Sequence, residues 1–215
     1  MPSTVALTPV RYVATITTAM VVVTCAAGVL GALTAWQRYQ VAVDYVAGDP
    51  GIGVADYVGA DNTAASVSLL WLLAYGATSL AYLTWSWRVR SNAERLCPLP
   101  HRLAKGWVVG GWLVPVFPLI VLEDVWRTSR PSTPEVLTVR ELPRGWLVHY
   151  WWYASMACAL VALWLAITRN DEPTLDALMT IASLTTLLAA LEMVAAALVI
   201  TLIRQITRWQ STPRP

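Results

Sequence analysis

Long uncharged apolar runs separated by charged segments dominate the chain: Tyr12–Gln37, Asn62–Trp87, Gly145–Thr168 and Ala177–Ile203. Each offers the roughly 20 apolar residues that one helix needs to cross a hydrocarbon core of about 30 Å. The pattern predicts four membrane spans, at about residues 12–37, 64–87, 146–168 and 177–203. A fifth apolar stretch, residues 106–126 (GWVVGGWLVPVFPLIVLEDVW), carries Pro115 and Pro118 at its centre. Two prolines inside a helix remove hydrogen bonds and clash with the preceding turn, so a break is expected there. The segment is therefore read as a re-entrant hairpin, with a kinked fifth span as the other geometry.

The distribution of charge bears on that choice. Residues 38–61 hold Asp44, Asp49, Asp56 and Asp61 against Arg38, and read as an acidic external loop. Their spacing lacks the alternating oxygen ligands and closing glutamate of a calcium loop. Residues 88–105 and 127–145 form basic linkers on either side of the broken segment, and both read as cytoplasmic under the positive-inside rule. A hairpin with the N-terminus inside leaves only Arg38 and Arg169 outside, so 13 of the 15 Lys and Arg residues lie inside. A single crossing leaves 7 of 15 inside, which is no asymmetry. Each arm of about nine residues, at ~1.5 Å per residue, reaches about half the hydrocarbon core. Both termini are then cytoplasmic, and residues 1–215 form a single membrane domain.

Composition agrees, with hydrophobic residues at 57%, charged residues at 13% and a mean hydropathy of +0.54. A soluble domain of this length needs no such apolar share, so the fold class is an all-α integral membrane protein of the cell membrane. The first run exceeds a signal-peptide core of about 7–15 residues and is read as a retained span. A net charge of +2 gives no basic field for nucleic acid. Cys25, Cys97 and Cys158 form neither a disulfide framework nor a metal-ligand spacing. No metalloprotease, nucleophile-elbow or phosphate-loop motif occurs, so no catalytic residue, metal or cofactor is assigned.

Several motifs carry a resemblance. Arg88-x-Arg90-x-Asn92-Ala93-x-x-Leu96, the run WVVGGWLVPVFPL (Trp107 to Leu119), VWRTSRP (Val125 to Pro131) and paired Trp151 and Trp152 resemble the family called domain of unknown function (DUF) 4328. The similarity extends over roughly Val67 to Trp209. It implies a multi-span membrane protein of a mostly actinobacterial family with no assigned activity and no catalytic residues to carry over.

Glu192 is the candidate intramembrane functional residue, close to the midpoint of the last apolar run. A carboxylate at that depth costs about 2.5–3.5 kcal/mol on insertion scales, which makes it a functional hypothesis. The structural alternative is a neutral Glu192 hydrogen-bonded to Thr185 or Thr186. Pro115 and Pro118 are the candidate hairpin break. Arg88, Arg90, Asn92, Glu123 and Asp124 are its candidate polar contacts: the two acids pair either with Arg88 or Arg90 or locally, Glu123 with Arg127. Trp107, Trp126, Trp151 and Trp152 read as interfacial anchors. Gly28 and Ala32, with Ala27 and Gly31, give small residues at helix-packing spacing.

These features point to a non-enzymatic, partner-binding or scaffolding membrane protein. A small transporter or channel subunit using the broken helix and Glu192 is the alternative, and a lipid-acting membrane enzyme the third. The bilayer, anionic lipid headgroups, and a second copy or another membrane protein are the partner classes.

Overall fold

The computed structural model describes residues 7–97, 99–114, 116–131, 138–168 and 174–212. Every regular element among them is helical: α1 (Arg11–Ala47), α2 (Val54–Leu96), α3 (Trp107–Gly110), α4 (Val116–Thr128), α5 (Trp146–Thr168) and α6 (Leu175–Ser211). Two 3-10 turns, Gly111–Leu113 and Val139–Glu141, complete the list. Helices α1, α2, α5 and α6 are long and apolar enough to cross a membrane. This is the all-α, four-span architecture expected from the hydropathy pattern.

Helix ends differ from the apolar boundaries. Most of the expected acidic loop, residues 38–61, is helical: α1 continues to Ala47 and α2 begins at Val54. Charged residues do not end a helix once it leaves the hydrocarbon. The break needs Gly48, whose φ of +74° favours glycine, and the turn closed by the Gly51 N–H donating to Asp49 Oδ1 at 2.8 Å. Asp56 then caps α2 by accepting from the Gly53 N–H at 2.8 Å. The extensions are tied by the Arg38–Asp61 ion pair at 2.7 Å and by stacked Tyr45 and Tyr57.

The broken segment folds back on itself. Val114, which precedes a proline, is extended at φ −123° and ψ +107°, as the proline ring demands of its neighbour. Trp107 of α3 meets Phe117 of α4 edge to face at 4.6 Å. A Cβ on Gly111 would lie only 3.2 Å from the Phe117 Cβ, so the glycine permits this close approach. Pro115 itself lies outside the described residues. Pro118, expected as part of the break, instead occupies the first turn of α4, where its missing N–H has no helical partner to lose.

The chain divides into two compact units. The first comprises residues 1–20, 78–152 and 197–215; the second comprises 21–77 and 153–196. In the first, Tyr82 packs against Trp85, Trp112 and Trp151, and residues 121–129 are buried throughout. In the second, Leu165, Leu184 and Leu188 form the core with Val161, Ala162 and Ile181 around them.

Candidate functional site

The second half of helix α4 poses an immediate physical problem, because a helical stretch buried on every side, as residues 121–128 are, is normally apolar. This one buries Glu123, Asp124, Arg127 and Thr128. Buried charges must be paired, and the two linkers supply the partners. Arg102 donates from its backbone N–H and Nε to Asp124 at 2.9 and 2.6 Å, and from Nη2 to Glu123 at 2.8 Å. Arg127 donates to Glu123 at 2.5 Å and from Nη1 to the carbonyls of Val139 and Arg140 at 3.0 and 2.9 Å. His149 Nε2 stands 3.9 Å from Glu123. Two arginines and two carboxylates thus fasten both basic linkers to α4.

The local Glu123–Arg127 pair is present, whereas Arg88 and Arg90 do not reach the acids. Arg88 donates to the Pro9 carbonyl, and Arg90 to Glu94 and the Leu103 carbonyl. Both arginines lie within α2, and Arg102, in the loop beyond it, takes the place assigned to them. Asn92 bonds the backbone of Thr8 and the side chain of Gln210, whose Nε2 donates to Ser129 Oγ at 2.8 Å and to the Val89 carbonyl at 2.9 Å. Its expected direct contact with the hairpin is replaced by this buried amide relay. Trp126, Trp151 and Trp152 are buried within the protein, which corrects their reading as interfacial anchors. Trp107 is 38% exposed.

Electrostatics in this cluster favour the ion pairs. Burial works to raise the Glu123 carboxyl, but hydrogen bonds and charge from Arg102 and Arg127 prevail and hold it below the ordinary carboxylate value. Burial first, and then the charge of Arg90, push His101 down to about 4 against the pull of Asp124 and Glu94. Its Nε2 lies 3.3 Å from Thr128 Oγ1. Below an unfolded pKa of about 6.5 the unfolded chain takes up a proton that folded His101 refuses, so the stability present above that pH is lost as pH falls toward about 4. Melting temperature measured from pH 8 down to 4 is expected to fall across this window and to fall less for His101→Gln. An unchanged slope would assign the titration elsewhere. The Glu123 contribution disappears only at lower pH, as its depressed pKa is crossed.

The chemically distinctive site is in the second unit. Glu192 of α6 projects beside α1, where a Cβ on Gly28 would lie 2.6 Å from its Oε2. Glycine at that position leaves room for the carboxyl. Trp71 Nε1 of α2 donates to the same oxygen at 3.3 Å, and the Trp71 ring stacks on Tyr75 at 5.3 Å. Cys25 Sγ approaches the Glu192 carbonyl at 3.8 Å. Thr185 and Thr186 do not hold Glu192: their hydroxyls turn back to the carbonyls of Ile181 and Ala182, and Trp36 Nε1 donates to Thr186. A hydroxyl on a helix finds its own preceding turn before it finds a neighbour. A cavity of about 330 Å³ opens beside the carboxyl, lined by Gly28, Gly31, Ser68, Trp71, Thr185 and Glu192 among others. Among the described residues no basic group pairs with Glu192, and no cluster of three or more His, Cys, Asp or Glu residues has metal-binding geometry.

Sequence reasoning found Glu192 from its position and Gly28 as a helix-packing residue, but it missed Trp71, 121 residues away, and did not join Gly28 to Glu192, 164 residues away. It also missed Arg102 and Gln210, for which no local motif gives a signal. No curated protein and no solved structure shows significant similarity to this chain. The sequence model of the family described as Domain of unknown function (DUF4328) matches residues 48–208, about three quarters of the chain, and the chain belongs to that family.

Proposed function

We propose that this is a non-enzymatic membrane protein that acts by binding, with the Glu192 cavity as its intramembrane recognition site. One observation carries the reading: the carboxyl faces a cavity with Trp71 as its side-chain hydrogen-bond partner. A carboxyl kept purely for packing would be saturated by neighbouring donors, as Glu123 is. Native mass spectrometry of the purified protein is expected to reveal a retained small molecule. Glu192→Gln should lose about tenfold in occupancy, the equivalent of one ~1.4 kcal/mol contact, with its melting temperature unchanged. Equal occupancy in both proteins, or a bare wild type, would return Glu192 to a structural role.

Transport is the second reading, favoured by a further cavity of about 420 Å³ that shares Gly31 and Ser68 with the first. Flux into proteoliposomes, abolished by Glu192→Gln, separates transport from binding alone.

The proposed topology places both termini and both basic linkers in the cytoplasm, with α3 and α4 as a re-entrant hairpin. Charge asymmetry supports it, as does the apolar surface of the turn: Leu113 is 89% exposed, Val109 53% and Val116 47%. With Cys25, Cys97 and Cys158 replaced by serine, an impermeant thiol reagent on intact cells should label Asp49→Cys and spare Glu135→Cys. Glu135 lies outside the described residues, within the linker whose sidedness is in question. Labelling of both would make residues 106–126 a full crossing.

A further inference from the structure

The binding reading leaves the chemistry of the ligand open, and the walls of the two cavities restrict it. Resting on that reading, we infer that the Glu192 site takes a protonated amine bearing an apolar body: an amphiphilic organic monocation.

Charge and geometry exclude the other classes one by one. An anion meets the carboxyl with no basic residue beside it. A metal ion wants six or more oxygen ligands for calcium, or near-octahedral oxygen coordination for magnesium, and the site offers one carboxylate. A proton needs no cavity, yet about 330 Å³ adjoins the carboxyl, within the range of small-molecule sites. A neutral chain would fill the apolar walls and leave a carboxylate oxygen of the half-buried Glu192 without a counter-charge, which is unfavourable. An ammonium group satisfies that oxygen. The indole of Trp71 holds Oε2 through its N–H, which fixes the carboxyl at the cavity wall where the ammonium would meet it.

The apolar body has a defined place. Gly31 and Ser68 line both cavities, so the second adjoins the first between α1 and α2, toward Ala64 and Ala65. The far cavity is bounded by the Arg38–Asp61 pair, whose charges cancel at 2.7 Å and leave Glu192 as the unneutralised group along the path. Small residues at Gly31, Ala64 and Ala65 keep the walls where the two cavities adjoin free of bulky side chains. An elongated ligand fits this space with its charged end at Glu192.

Dicyclohexylcarbodiimide, an apolar reagent that reacts with carboxyls inside membranes, provides the test. The full chain is reconstituted in lipid nanodiscs and modification of Glu192 is followed by peptide mass. Octylamine is expected to slow labelling by about tenfold, while octanol and octanoate at the same concentration leave it unchanged. Ala65→Phe, which fills the far cavity and does not line the one beside Glu192, should be labelled yet lose the protection; Ala64→Phe serves if that variant does not fold. Equal protection by octanol or octanoate overturns the cation assignment while leaving the binding reading standing. No protection by any of the three, or a Glu192 that the reagent never labels in folded protein, overturns both.

Discussion

Asp124→Ala is expected to destabilise the protein by about 3–5 kcal/mol, the cost of stranding one partner of a buried ion pair. Asp124 is fully buried and accepts from both the backbone N–H and the Nε of Arg102. Removing it leaves the Arg102 Nε without its acceptor, the guanidinium keeping only Glu123 and the Ile120 carbonyl, with a backbone donor stranded as well. For a chain of this size the loss corresponds to a fall in melting temperature on the order of 10 °C. Replacing both partners, Arg102→Met with Asp124→Leu, should cost less than Asp124→Ala, because no charge is then stranded. Thermal unfolding of the wild type, Arg102→Met, Asp124→Leu and the double variant measures the coupling. A loss below about 1 kcal/mol for Asp124→Ala would class the pair with exposed surface bridges and remove the argument that α4 holds the linkers.

Gly145→Ala is expected to cost about 1–3 kcal/mol through overpacking. A Cβ there would lie 2.5 Å from Trp126 Cδ1 and 2.8 Å from Cγ. Neither side can give way easily. Gly145 opens α5, its carbonyl accepting from the Val148 N–H at 2.9 Å, and the Trp126 ring is wedged against Trp209 at 4.7 Å. In a Trp126→Ala background the opposing ring is gone, so the same alanine should cost little. Denaturant unfolding of the single and double variants gives the coupling directly. Additive costs would show that the contact with Trp126 is not what requires glycine.

Glu192 and Gly145 mark opposite limits of legibility. An acid in the middle of an apolar run is conspicuous in any membrane sequence because the bilayer penalises it wherever its neighbours lie. Gly145, by contrast, is one glycine among 11, and only the approach of Trp126 makes it special. The same contrast runs through α4. Its Glu123–Arg127 pair follows from helical geometry, since residues four apart face each other. The Arg102 partner of both acids sits more than 20 residues away, across a loop whose path no periodicity encodes.

By itself, then, the sequence determined the four apolar helices, the break before α4 and the carboxyl in α6, because each depends on local backbone chemistry or on the solvent the segment meets. Tertiary structure alone decided that α1 and α2 absorb most of the acidic segment, and that Trp126, Trp151 and Trp152 are buried. It also decided that Trp71 and Gly28 frame Glu192. Those outcomes depend on which surfaces meet, and such meetings are chosen by packing between residues that the chain keeps far apart.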